Sequence, residues 1–156
     1  MSSFDTTNFV TATAITATPG RDGWIANNST GINGSYIGDY TFFVFHQTFD
    51  LTGYNASTAN LKFQWAADDS YSDGVGWIPK FSLNGGPLTD GSWVGGYSYV
   101  LGNETTLTSG FVSGINYIDF YVEGNGVTDG FALKTLSFTA ISVVPELQTY
   151  VMLWQA

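Results

Sequence analysis

Residues Tyr40 to Asp69 read YTFFVFHQTFDLTGYNASTANLKFQWAADD, a strand, a turn and a second strand. In the second strand Leu61, Phe63 and Trp65 fall on one side and Lys62 and Gln64 on the other, the period of two that a half-buried strand requires. From Tyr40 to Leu51 both sides are apolar, with Tyr40, Phe42 and Val44 against Phe43, Phe45, Phe49 and Leu51. That pattern predicts a strand covered on both faces.

A chain of 156 residues suits one domain and is long enough to bury roughly 70% of its unfolded surface. Nineteen glycines, 17% aromatic and only 11% charged residues favour strands and turns over long helices. Turn signals recur about every ten residues, as at Pro19-Gly20, Asn33-Gly34, Asp73-Gly74, Asn84-Gly85, Gly102-Asn103 and Asp129-Gly130. Between them strands are expected near 9–18, 40–51, 60–67, 77–84, 93–101, 105–112, 115–122 and 131–143. The expected fold is all-β, an antiparallel two-sheet sandwich, jelly-roll-like, of about eight strands. Alternation in these segments marks Phe43, Phe45, Phe49, Leu61, Phe63, Trp65, Ile118, Phe120, Val122, Leu136 and Phe138 as the core. The sandwich is assigned to residues 1–144, with 1–18 as a terminal strand. Residues 145–156 form a short apolar tail, opened by Pro145-Glu146 in the manner of a helix start. Its last ten residues, LQTYVMLWQA, fall short of the roughly 20 that span a bilayer.

Thirteen acids against Arg21, Lys62, Lys80 and Lys134 give a formal charge of −9. Binding the nucleic-acid backbone depends on clustered cations, so a nucleic-acid partner is not expected. Without cysteine there is neither a disulfide framework nor a thiolate metal site. Residues 1–20 lack the charged and apolar segments of a signal peptide, so an exported protein would be represented here by its mature form.

Six runs then occur in a suggestive order: Gly23-Trp24-Ile25-Ala26-Asn27-Asn28, Tyr40 to Gly53, Trp65-Ala66-Ala67-Asp68-Asp69, Leu83-Asn84-Gly85, Ser109 to Phe120, and Val144-Pro145-Glu146. Over residues 23–146 the chain resembles bacterial extracellular proteins that carry a PEP-CTERM sorting signal. The resemblance implies a secreted or surface-bound matrix or biofilm protein, with no catalytic residues to carry over. Leu147 stands where the family's second proline would be, and no basic end follows.

Chemistry-bearing residues are few. His46 is the single histidine, so a Ser-His-Asp site would have to use it, although its mid-strand position suits an ordinary strand residue. Asp68, Asp69 and Asp73, with Ser70 and Gly74, gather hard oxygen ligands of the kind calcium takes. Their spacing is not that of an EF-hand loop, and a solvated acidic turn is the competing reading. Trp77, Trp93, Tyr97 and Tyr99, with Tyr117 and Tyr121, are candidates for a sugar-stacking platform, against inter-strand packing. Asn27, Asn28, Asn33, Asn55 and Asn103 open sequons, a by-product of turn composition.

Both chain ends suit self-assembly. The uncharged FVTATAITAT segment presents Phe9, Val10 and Ile15 for pairing with an open sheet edge. The tail presents Leu147, Tyr150, Val151, Leu153 and Trp154 for a groove. The expected function is that of a non-enzymatic structural or adhesive protein, extracellular or on the cell surface, forming a homo-oligomer or polymer. The alternative is a carbohydrate-binding module for an exopolysaccharide. No cofactor is expected, calcium at the acidic turn being the one candidate.

Overall fold

In the computed structural model the turn after Asp50 does not close a hairpin. The strands that flank it, β4 (Thr41–Asp50) and β5 (Tyr54–Ala67), lie in different sheets. Gly53, at φ 80°, supplies the left-handed conformation this turn requires, and Tyr54 N–H donates to Leu51 C=O at 3.0 Å. Residues 10–11, 16–17, 25–26, 41–67, 79–91, 101–124 and 130–143 are described.

All regular structure among these residues is β: β1 (Val10–Thr11), β2 (Thr16–Ala17), β3 (Ile25–Ala26), β4, β5, β6 (Lys80–Leu83), β7 (Thr89–Asp90), β8 (Thr105–Leu107), β9 (Ile115–Gly124) and β10 (Phe131–Ser142). One sheet runs β1-β4-β9-β6-β7 and the other β2-β3-β10-β5-β8. Every pairing is antiparallel except β1 with β4, which is parallel. The expected terminal strand over 9–18 thus appears as two pieces, Val10–Thr11 on one sheet and Thr16–Ala17 on the other. β3 and β7 were not anticipated, β5 starts earlier than expected, and β8 is short.

The two sheets meet over one core. Phe45, Phe81, Ile118, Phe120 and Val122 from the first pack against Leu61, Phe63, Trp65, Ala67 and Phe131 from the second. Rings bridge the layers: Phe45 stacks on Phe131 at 4.6 Å, and Phe63 and Trp65 meet Phe120 at 5.9 and 5.1 Å. Each such side chain, fully buried, contributes roughly 1.5–3 kcal/mol.

The one-sided alternation read in β5 is observed, with Ala59, Leu61, Phe63, Trp65 and Ala67 all buried. Phe43 and Phe49 are half-buried against the core. Two assignments are corrected: Leu136 and Phe138 are each 38% exposed. For Leu136 a bulge is the cause, and for Phe138 its place at the rim. Phe131, Leu133 and Thr135 lie opposite the inward-facing Ala67, Trp65 and Phe63, but Ser137 lies opposite Lys62 and Phe138 opposite Leu61. Leu136 is the extra residue, and the inward positions change from odd to even across it. Phe138 therefore faces inward at the rim, touching Phe49 and Phe111. β4 also departs from the two-sided cover expected of it, because Phe42 and Val44 are half-buried while His46, Gln47 and Thr48 are exposed.

Candidate functional site

Among the described residues, the pair of sheets is open along one side. β1 pairs with β4 only at Phe43 and Val44, and β3 pairs with β10 only at Phe131. Beyond these points no described strand pairs with the outer edge of β4 from 45 to 50, or with that of β10 from 132 to 142. Backbone donors and acceptors on such edges are templates for another strand.

Between the two edges lie three adjoining cavities. One of about 220 Å³ is lined by Ile25, Phe45, Gln47, Phe131 and Leu133. The next, of about 230 Å³, shares Gln47 and Leu133 and adds Phe49, Phe63 and Phe138. A third, of about 510 Å³, shares Phe138 and adds Asp50, Leu51, Tyr54 and Ala140. Their shared walls make one groove with an apolar floor and two strand edges as lips. At its end Ile141 and Val143 are 67% and 59% exposed.

Asp50 closes β4 beside this groove. Hydrogen bonds from the Thr52 side chain and backbone N–H, the latter at 2.7 Å, hold its carboxyl below the ordinary carboxylate range. A depressed folded-state pKa gives a stabilisation present above the unfolded value and lost as pH falls through the folded one. The stability difference between the native chain and Asp50→Asn, followed as melting temperature, is therefore expected to shrink below about pH 4.

The outer face of the first sheet carries a row of polar and titratable residues. Register sets His46, Asp119 and Ser82 in one row on β4, β9 and β6. His46 Nδ1 and Asp119 Oδ1 are 2.6 Å apart, and the imidazole stacks on Tyr117 at 5.2 Å. Because an ionised carboxylate only accepts, the Nδ1 position carries the proton. Ser82 lies on the far side of Asp119, two strand spacings or about 10 Å from His46. The carboxylate thus separates imidazole from hydroxyl, the reverse of a nucleophile–base arrangement, in which the imidazole lies in the middle. Ser82 Oγ itself is buried without a hydrogen-bond partner. Lys80 pairs with Asp90 across β6 and β7. No group of three or more metal-ligating side chains occurs among the described residues.

Most sequence-named site residues, namely Asp68, Asp69, Asp73, Trp77, Trp93, Tyr97, Tyr99, Phe9, Ile15, Leu147, Tyr150, Val151, Leu153 and Trp154, lie outside the described residues. Val10 is in β1, opposite Phe43. Tyr117 and Tyr121 share the outer face of β9 with Asp119, as their alternation suggested. The groove has no local signature, since it depends on where β1 and β3 stop. The one available hint was the apolar content of residues 131–143 beyond what a single inward face uses. No family model, no curated protein and no solved structure matches the chain.

Proposed function

We propose that the protein is a non-enzymatic structural or adhesive component of a bacterial extracellular or cell-surface matrix, a jelly-roll-like β-sandwich that joins to copies of itself through its terminal segments. The observation that carries this reading is the parallel pairing of β1 with β4, two residues long beside an edge that, among the described residues, continues unpaired to Asp50. So short a parallel ladder supplies few hydrogen bonds and is readily exchanged for the same segment of a neighbour. A terminal strand given to the next copy makes a head-to-tail contact, which need not close. The PEP-CTERM resemblance supports export and a matrix setting.

A second reading, carbohydrate binding, is favoured by one arrangement: Tyr117, Asp119 and Tyr121 alternate along the outer face of β9, an aromatic–carboxylate–aromatic row. Aromatic faces stack on sugar rings while carboxylates accept their hydroxyls.

Electron microscopy and size-exclusion chromatography of the full chain, and of a chain lacking residues 1–11 and 147–156, test the first reading. Oligomers or filaments larger than a dimer are expected from the full chain and are expected to be lost from the shortened one. A full chain that stays monomeric but binds exopolysaccharide, with binding lost on Tyr117→Ala, would transfer the function to the second reading.

A further inference from the structure

We infer that β10 is a seam between two copies of this chain, pairing antiparallel with β10 of a second copy about a two-fold axis at Ser137. The inference rests on the self-association in the reading above, but on a different surface from the chain ends.

Three observations lead to it. The edge of β10 is unpaired from 132 to 142 among the described residues, with Ser137 at its midpoint. It is also uncharged but for Lys134: in a chain of net charge −9, the segment from Gly130 to Val143 contains no acid. Acids, which would set like charges face to face in a two-fold contact, lie elsewhere. Finally, the strand is self-complementary. Pairing about Ser137, with the bulge at Leu136 kept as the two-against-one position it has opposite β5, sets Phe138 against Thr135 and Leu136 of the other copy. It then sets Thr139 against Lys134, Ala140 against Leu133 and Ile141 against Ala132. The exposed Leu136, Phe138 and Ile141 each gain an apolar neighbour in this register. The second copy also covers the rim of the groove at Phe138.

Native cysteine is absent, so a single introduced thiol reports the contact. Directly opposed residues of an antiparallel pair have Cα atoms about 4.5–5.5 Å apart, within the span of a disulfide. Ser137→Cys is expected to form a disulfide-linked dimer under mild oxidation faster than Thr106→Cys, an exposed position on the opposite edge strand β8. The expected ratio is at least about tenfold, since a preformed seam raises the effective thiol concentration above that of free collision. Adding Leu136→Lys, at an exposed position, is expected to remove most of that advantage. Dimerisation should strengthen with salt as the mutual repulsion of two acidic copies is screened.

Equal rates for Ser137→Cys and Thr106→Cys would overturn the inference. So would a residue-137 thiol shielded from a soluble reagent yet not crosslinked, which would mean that the chain's own segments cover the edge. The chain lacking residues 1–11 and 147–156 separates the two proposals. A crosslinking dimer there supports the seam whether or not filaments ever form. Filaments of the full chain without the crosslink refute the seam and leave the terminal contacts standing.

Discussion

Asn116→Ala is expected to destabilise the protein by about 4 kcal/mol, since four hydrogen bonds are worth roughly 1 kcal/mol each and their stranded partners add to the loss. Asn116 is completely buried. Its Oδ1 accepts from Val112 N–H and from Asn84 Nδ2, and its Nδ2 donates to Val112 C=O and Gly114 C=O, all at 2.8 Å. An amide has two donors and two acceptor sites, and here all four are used. Asn84, at φ 52°, extends the clamp by donating to Gly110 C=O and accepting from Tyr117 N–H, each at 2.9 Å. Alanine would leave the Val112 carbonyl and two donors without these partners, and Gly114 C=O with Leu51 N–H alone, in a space that water reaches poorly. Asn116→Asp keeps the shape but points a carboxylate at two carbonyl oxygens, so near neutral pH it is expected to be as damaging. Urea unfolding should show a lower midpoint with an unchanged slope. A loss below about 1.5 kcal/mol would mean that water replaces the bonds and that the clamp is not what fixes this corner.

The same clamp shows what the sequence could and could not convey. The Leu83-Asn84-Gly85 run and the Ser109–Phe120 run carried much of the family resemblance, and they are hydrogen-bonded to each other. Leu51 N–H, from a third run, donates to Gly114 C=O at 2.8 Å in the same corner. These contacts give the three runs an architectural role. Alternation in β5 and β9 was legible because each strand keeps one inward face from end to end. β10 misled because one inserted residue, Leu136, exchanges the faces, and period-two reasoning has no means of seeing a bulge. His46 and Asp119 are 73 positions apart, so their contact follows only from the β4–β9 register. The open edge was beyond reach for a related reason: it is defined by where neighbouring strands end.

Trp65→Ala is expected to cost about 4 kcal/mol, within the range for deleting a large aromatic side chain from a core. Trp65 is 2% exposed and meets Phe81, Phe120 and Phe131 at ring-centroid distances of 6.1, 5.1 and 6.2 Å. A space walled by three phenylalanines offers water no hydrogen-bond partner, so the cavity stays empty and its lining loses contacts outright. The indole is also why Gly91 must be glycine. A Cβ at that position would fall on the Cζ2 and Cη2 atoms of Trp65 and 2.9 Å from Pro79 C=O. Gly91→Ala alone should therefore destabilise by about 2 kcal/mol through overpacking. Trp65→Phe removes the ring atoms that a Cβ at 91 would strike. In that background Gly91→Ala should cost less by about 1 kcal/mol or more, a non-additivity read from a double-mutant cycle of urea midpoints. Additive costs would show that the Pro79 carbonyl, and not the indole, sets the limit at Gly91, and that the far end of the Trp65 ring has room to move.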